Sequence, residues 1–145
     1  MRPRVLVVDD NPDNRDYARE VLTERYAVEL AGSGSGALEL IALGKGRGRP
    51  PALVLLDLSL PRRDGYSILA ELRRDPETAA LPVIACTAHA MSGDRERALL
   101  AGFDGYLSKP FRPGELLGLI ASFIGPGEPD PNARDAWSLS GLEGD

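Results

Sequence analysis

The 145-residue sequence predicts an α/β fold, a doubly wound five-stranded parallel sheet in a single domain. Three observations predict it. Short runs rich in β-branched residues alternate five times with segments of helical apolar spacing. The central run, Ala52-Leu53-Val54-Leu55-Leu56, is continuously apolar, as expected of a strand buried on both faces. Strands separated by helices must run parallel with right-handed crossovers, so the alternation implies an open sheet with helices on both faces.

Each element has its own signal. Val5-Leu6-Val7-Val8 is the first strand and ends in Asp9-Asp10. Asn11-Pro12 supplies an N-cap and a first-turn proline, and Tyr17, Ala18, Val21 and Leu22 follow at helical spacing. Ala27 to Leu30 is the second strand. Ala37, Leu38 and Ile41 mark the second helix, with Gly44 as its expected stop. Gly44 to Pro51 has no apolar period and reads as a glycine-rich loop. The third strand ends in Asp57, and Ile68, Leu69 and Leu72 define the helix after it. Pro82 to Cys86 forms the fourth strand and leads to Thr87. A helix over Ser92 to Ala101 is stopped by Gly102. Tyr106-Leu107 centre the fifth strand, which Lys109-Pro110 closes. Pro113 opens a last helix carrying Leu116, Leu117, Ile120, Phe123 and Ile124, and Gly125 ends it.

Composition narrows the function. Hydrophobic residues are 43% and charged residues 27% of the chain, ordinary usage for a globular protein. No apolar run approaches the roughly 20 residues of a membrane span, and the short run after the basic N-terminus is no signal peptide. The single cysteine, Cys86, cannot form an internal disulfide, so a reducing cytoplasm is the expected setting. Of the net charge of −5, residues 125–145 hold −4: five acids against Arg134. The body is near neutral, which argues against nucleic acid as a partner. Residues 1–124 are therefore read as the domain, and 125–145 as an acidic, Pro/Gly-rich, disordered tail. Its apolar features are Trp137, Leu139 and Leu142. Lys45, Arg47 and Arg49 lie between glycines and read as a solvated loop. Gly32, Gly34 and Gly36 read as a turn, because no lysine-serine or lysine-threonine ending makes them a nucleotide loop.

The chemistry lies at the strand ends. Asp9 and Asp10, Asp57, Thr87 and Lys109 each follow a parallel strand, so all converge on the edge where open α/β sheets bind ligands. One aspartate there is commonly a cap. Four strand ends offering three carboxylates, a hydroxyl and an ammonium are harder to dismiss. Clustered carboxylates repel one another unless a cation joins them. A hard dication answers this, and Mg²⁺ suits a site that also receives a phosphate. Such a centre can bring a phosphoryl donor beside a carboxylate nucleophile. Lys109 offers a point charge and Thr87 a donor hydroxyl.

Four segments now carry a resemblance: Val7-Val8-Asp9-Asp10-Asn11; Leu56-Asp57-Leu58-Ser59-Leu60-Pro61-Arg62-Arg63-Asp64-Gly65; Thr87-Ala88-His89-Ala90-Met91; and Gly105-Tyr106-Leu107-Ser108-Lys109-Pro110-Phe111. In this order and spacing the chain resembles response-regulator receiver domains over about residues 3–124. The resemblance implies a flavodoxin-like (βα)5 fold and two-component or phosphorelay signalling. It implies Asp57 as phosphoacceptor, and a Mg²⁺ site of Asp10, Asp57, the Ser59 backbone carbonyl and Asp9, the last mainly through water. Thr87 and Lys109 would hold the phosphoryl group, and Tyr106 would be the aromatic switch. The Lys109–Pro110 bond would be cis. Leu60 stands where the family usually has methionine, a volume-like swap. The implied partners are a histidine kinase or histidine phosphotransfer protein and an unknown downstream protein, with neither membrane nor nucleic acid. The domain would be a monomer or weak dimer, cytoplasmic, without an output module. It would catalyse only its own phosphorylation and dephosphorylation.

Cys86 reads as a packed core thiol and His89 as a loop residue at the rim. A haloacid dehalogenase-type phosphatase is the alternative, but it needs an aspartate two residues past the nucleophile, where Ser59 stands. A flavodoxin-like cofactor binder is disfavoured by acidic strand ends that would repel a flavin phosphate.

Overall fold

The computed structural model describes residues 2–88 and 91–129. Its elements, in chain order, are β1 (Arg4–Val8), α1 (Pro12–Leu22), β2 (Ala27–Ala31), α2 (Gly34–Gly46), β3 (Leu53–Asp57), α3 (Gly65–Arg74), β4 (Val83–Thr87), α4 (Asp94–Ala101), β5 (Gly105–Ser108) and α5 (Pro113–Ile124). The strands form one parallel sheet in the order β2-β1-β3-β4-β5. The chain steps outward from β1 in one direction to β2, and then crosses to β3 on the other side. The crevice between β1 and β3 is therefore the switch point at which such sheets bind ligands.

Strand alternation divides the core in two. Leu6, Val8, Val54, Leu56 and Ala85 face Ile41, Ile68, Leu72 and Ala98, beneath α2, α3 and α4. Val5, Val7, Leu53, Leu55, Ile84 and Cys86 face Leu22, Leu116 and Ile120, beneath α1 and α5. All five residues of β3 and of β4 are buried, which explains their unbroken apolar runs.

Helix starts follow local chemistry. The Asn11 side chain accepts hydrogen bonds from the Asp13 and Asn14 backbone N–H groups at 2.8 and 3.3 Å, and Pro12 occupies the first turn. Removing the cap strands those donors. Asn11→Ala is expected to cost ~1 kcal/mol in urea unfolding with an unchanged slope; an unchanged midpoint would refute the cap. Asp64 caps α3 by accepting from the Ser67 N–H at 2.9 Å.

Several expectations need correction. The second helix does not stop at Gly44 but runs to Gly46. Gly44 is buried, and a Cβ there would lie 2.7 Å from the Arg49 carbonyl oxygen, so it permits close approach of the returning chain. Gly34 and Gly36 are not a turn but the first residues of α2, behind the Ser33 cap. A Cβ on Gly34 would meet Ile68 Cδ1 at 2.5 Å, so this glycine serves α2–α3 packing. Lys45 is not a solvated loop residue: it lies on α2 and pairs with Asp75 and Glu77 at 2.9 and 2.8 Å. The fourth helix starts at Asp94, because Gly93 holds φ at +88° and the Asp94 carboxylate accepts from the Met91 N–H.

The chain also stays attached past Gly125. The Tyr26 hydroxyl donates to the Gly125 carbonyl at 2.6 Å, and the Glu128 N–H donates to the Arg25 carbonyl at 2.8 Å. The start of the expected tail is thus docked through Glu128. Residues 130–145, with Trp137, lie outside the described residues, as do His89 and Ala90.

Candidate functional site

The sheet edge gathers the residues that the sequence singled out. Val8 pairs with Leu56 across β1 and β3, so Asp9 and Asp57 emerge side by side at the switch point. Asp9 and Asp57 are buried, while Asp10 is exposed. Oxygens of the three carboxylates lie within 4.8 Å of one another. Lys109 Nζ donates to Asp9 Oδ2 at 2.5 Å and to Asp57 Oδ2 at 3.3 Å. The peptide before Pro110 is cis, as the resemblance implied. Backbone pairing adds to this, since the Lys109 N–H donates to the Thr87 carbonyl at 2.8 Å. Thr87 is itself buried at the end of β4.

Burial and charge act against each other at Asp57. Burial pushes the pKa of Asp57 up, and the Asp9 charge pushes the same way. The Ser59 N–H, donating to Asp57 Oδ1 at 3.0 Å, and the Lys109 charge oppose that rise without cancelling it. Burial acts to lower the pKa of Lys109, but its bond to Asp9 and the charges of Asp57 and Asp9 outweigh it and the net shift is upward. Lys109 is therefore a firm cation. One ammonium against three carboxylates leaves local negative charge that a dication would neutralise.

The donor set fits such an ion. All three ligand groups are hard oxygens, as Mg²⁺ prefers. Two oxygens bound to one Mg²⁺ lie at most about 4.2 Å apart, twice the usual bond length. Carboxylate oxygens within 4.8 Å of one another are close enough for one such ion to join them, directly or through water.

Two supporting features were not anticipated from sequence. Arg15 donates to the Asp9 carbonyl at 2.7 Å and so fixes the turn after β1. Arg62 holds a positive φ of 68° in the loop after β3, and Leu60 beside it is buried, so a strained turn and an apolar anchor shape the Ser59 segment. The Asn11-Pro12 signal hints at the first; a left-handed arginine has no sequence signature. Ser59 itself is exposed.

Tyr106 and Thr87 share a sheet face. Tyr106 pairs with Ala85, two residues before Thr87, and packs against the α2–α3–α4 core. Burial pushes up the pKa of the Tyr106 hydroxyl, which is buried without a hydrogen-bond partner; the Ser108 hydroxyl opposes the shift but does not meet hydrogen-bond geometry. Cys86 is a core thiol, with its pKa raised by burial, as expected. An apolar cleft of about 290 Å³ opens beside Lys109, walled by Asn14, Tyr17 and Phe111.

Fold and site together define a receiver-type signalling domain. The family model described as response regulator receiver domain matches residues 5–121, and the chain belongs to that family. Response regulator MprA of Mycobacterium leprae is 40% identical over 141 residues, covering 96% of this chain and 59% of that protein. The chain thus spans about three fifths of that relative. A putative response regulator from Chloroflexus aurantiacus superposes with a TM-score of 0.78 at 30% identity, covering 86% of this chain and 98% of that one. The receiver domain of the Pseudomonas aeruginosa sensor histidine kinase PA1611, solved with magnesium coordinated in its active site cleft, gives 0.73 at 34% identity, with 86% and 98% covered. The protein is a receiver domain of two-component signalling, and the phosphatase alternative is not favoured. No described helix is long and apolar enough to cross a membrane.

Proposed function

We propose that Asp57 accepts a phosphoryl group from the phosphohistidine of a histidine kinase or phosphotransfer protein, and that this switches a protein-binding face. The convergence of Asp9, Asp10, Asp57 and Lys109 on the switch point is the observation that carries the reading. An Asp57 oxygen attacks phosphorus, the P–N bond of the donor breaks, and its electron pair returns to the imidazole. Asp10, Asp57 and the Ser59 carbonyl, with Asp9 through water, would hold a Mg²⁺ ion, which supplies charge neutralisation at the transferring group. Lys109 balances charge on the phosphoryl oxygens, and the Thr87 hydroxyl donates to one of them. The apolar cleft at Tyr17 and Phe111 gives the donor a seat beside the acceptor.

Output follows from Thr87 and Tyr106 lying on one sheet face. When Thr87 turns to the phosphoryl group it vacates space on its own sheet face, and the Tyr106 ring rotates into it. The face that changes is α4–β5–α5. It exposes Met91, Leu100 and Phe123, with Leu100 89% accessible, as a downstream protein would require.

Metal linkage tests the reading. A ligand bound by the native state alone raises its stability. Mg²⁺ is expected to raise the melting temperature of the wild type, and Asp10→Asn is expected to weaken that rise. An equal response in both proteins would remove Asp10 from the metal site.

A further inference from the structure

At the foot of the sheet, opposite the phosphoryl-acceptor edge, lies a small pocket lined by Arg4, Glu29, Leu40, Leu43, Arg47 and Arg49. Three guanidinium groups face one carboxylate there. Arg4 pairs with Glu29 through a terminal nitrogen, but its Nε is buried without a partner. Arg47 and Arg49 are exposed and form no ion pair among the described residues. Leu43 beside them is 52% accessible. A net positive, mainly polar pocket with exposed Leu43 in its lining suits an acidic ligand that can also lay an apolar group on Leu43.

We propose that this pocket binds an acidic, tryptophan-bearing segment, and that its occupant is the chain's own residues 130–145. The departure point of that segment is fixed. The Glu128 N–H donates to the Arg25 carbonyl, and Arg2 Nε donates to the Glu128 carbonyl at 3.1 Å. Gly127, at φ +72°, permits the approach, since a Cβ there would collide with the Arg25 backbone. Arg2 is two residues from Arg4, so the segment leaves at the same end of the sheet as the pocket. Sixteen residues reach up to about 50 Å when extended, far more than is needed. The segment carries Asp130, Asp135, Glu143 and Asp145 against Arg134 alone, opposite in sign to the pocket. Exposed ion pairs are weak in water, so Trp137 against Leu43 supplies the apolar share.

Trp137 is the chain's single tryptophan and therefore a clean reporter. In the full chain at low salt, its emission is expected to be blue-shifted and its acrylamide quenching about two- to threefold weaker than that of a free tryptophan peptide, as for a ring removed from water. High salt or Arg47→Glu with Arg49→Glu should abolish the protection, with circular dichroism and acetyl phosphate labelling unchanged. Asp135→Arg in the charge-reversed background should restore part of it. Free-peptide quenching in the wild type at low salt overturns the proposal. So does protection that survives charge reversal, and protection that rises with protein concentration assigns the pocket to a second copy instead.

Discussion

Asp57→Ala should abolish phosphoryl incorporation. With acetyl phosphate and Mg²⁺ the wild type is expected to take up one phosphoryl group, and the variant none, by intact mass. Chelation of Mg²⁺ with EDTA should also abolish uptake in the wild type. The expectation is all-or-none because Asp57 is the one carboxylate among the described residues that is buried within a central strand. Asp57 is buried, ends a central strand, and has one oxygen on the Ser59 N–H and the other on Lys109. Asp9 is a poorer nucleophile, since Lys109 holds it at 2.5 Å against 3.3 Å for Asp57 and it lies past the end of β1. Asp10 is exposed and has no such cradle. Loss of uptake should not reflect loss of fold. Burial disfavours the ionised form of Asp57 and the Asp9 charge repels it, so neutral replacement removes a repulsion. A folded Asp57→Ala protein that still gains one phosphoryl group would overturn the assignment.

The chemistry at the strand ends was legible because a parallel sheet turns sequence order into spatial convergence. Asp9, Asp57, Thr87 and Lys109 needed only their strands to be recognised, and the apolar runs of β1, β3 and β4 made that simple for the first three. Asn11-Pro12 likewise announced α1 through local bonding. Tertiary causes were hidden. Gly44 and Gly34 looked like a stop and a turn, yet both are glycine because another segment presses on them. Lys45 looked solvated, since its partners Asp75 and Glu77 lie 30 and more residues away. Arg73 gave no sign of its reach. It donates to the Leu81 carbonyl at 2.7 Å, to the Gly102 carbonyl at 2.9 Å and to Asp104 at 2.8 Å, joining α3 to the segment before β4 and to the turn between α4 and β5. Local signals are written in neighbouring residues, whereas close approaches and distant ion pairs are written only in the fold.

Gly65→Ala should damage stability and phosphoryl uptake together. By helix propensity alone the change would help, since alanine favours a helix by nearly 1 kcal/mol over glycine. Gly65 opens α3 and its backbone is not left-handed, so conformational freedom is not the reason for glycine. Space is the reason. A Cβ at this position would lie 2.7 Å from the Asp57 carbonyl oxygen and 3.0 Å from Leu58 Cα, both backbone atoms that cannot rotate away. The Gly65 N–H also donates to the Leu58 carbonyl at 3.1 Å, which holds the helix against the strand end. Either α3 withdraws, opening the packing of Ile68 and Leu69, or the end of β3 shifts. Overpacking of this kind costs about 1–3 kcal/mol, more than the propensity gain, so a net loss in urea unfolding is expected. A shift of β3 would also move Asp57 relative to Lys109 and Asp10, and displacements near 1 Å can lower rates about a hundredfold. The acetyl phosphate labelling rate of folded Gly65→Ala protein should fall accordingly, while Ser67→Ala, two residues along the same helix and outside this contact, should label at nearly the wild-type rate. A Gly65→Ala protein as stable and as rapidly labelled as the wild type would show that the helix start yields freely and that the acceptor does not depend on it.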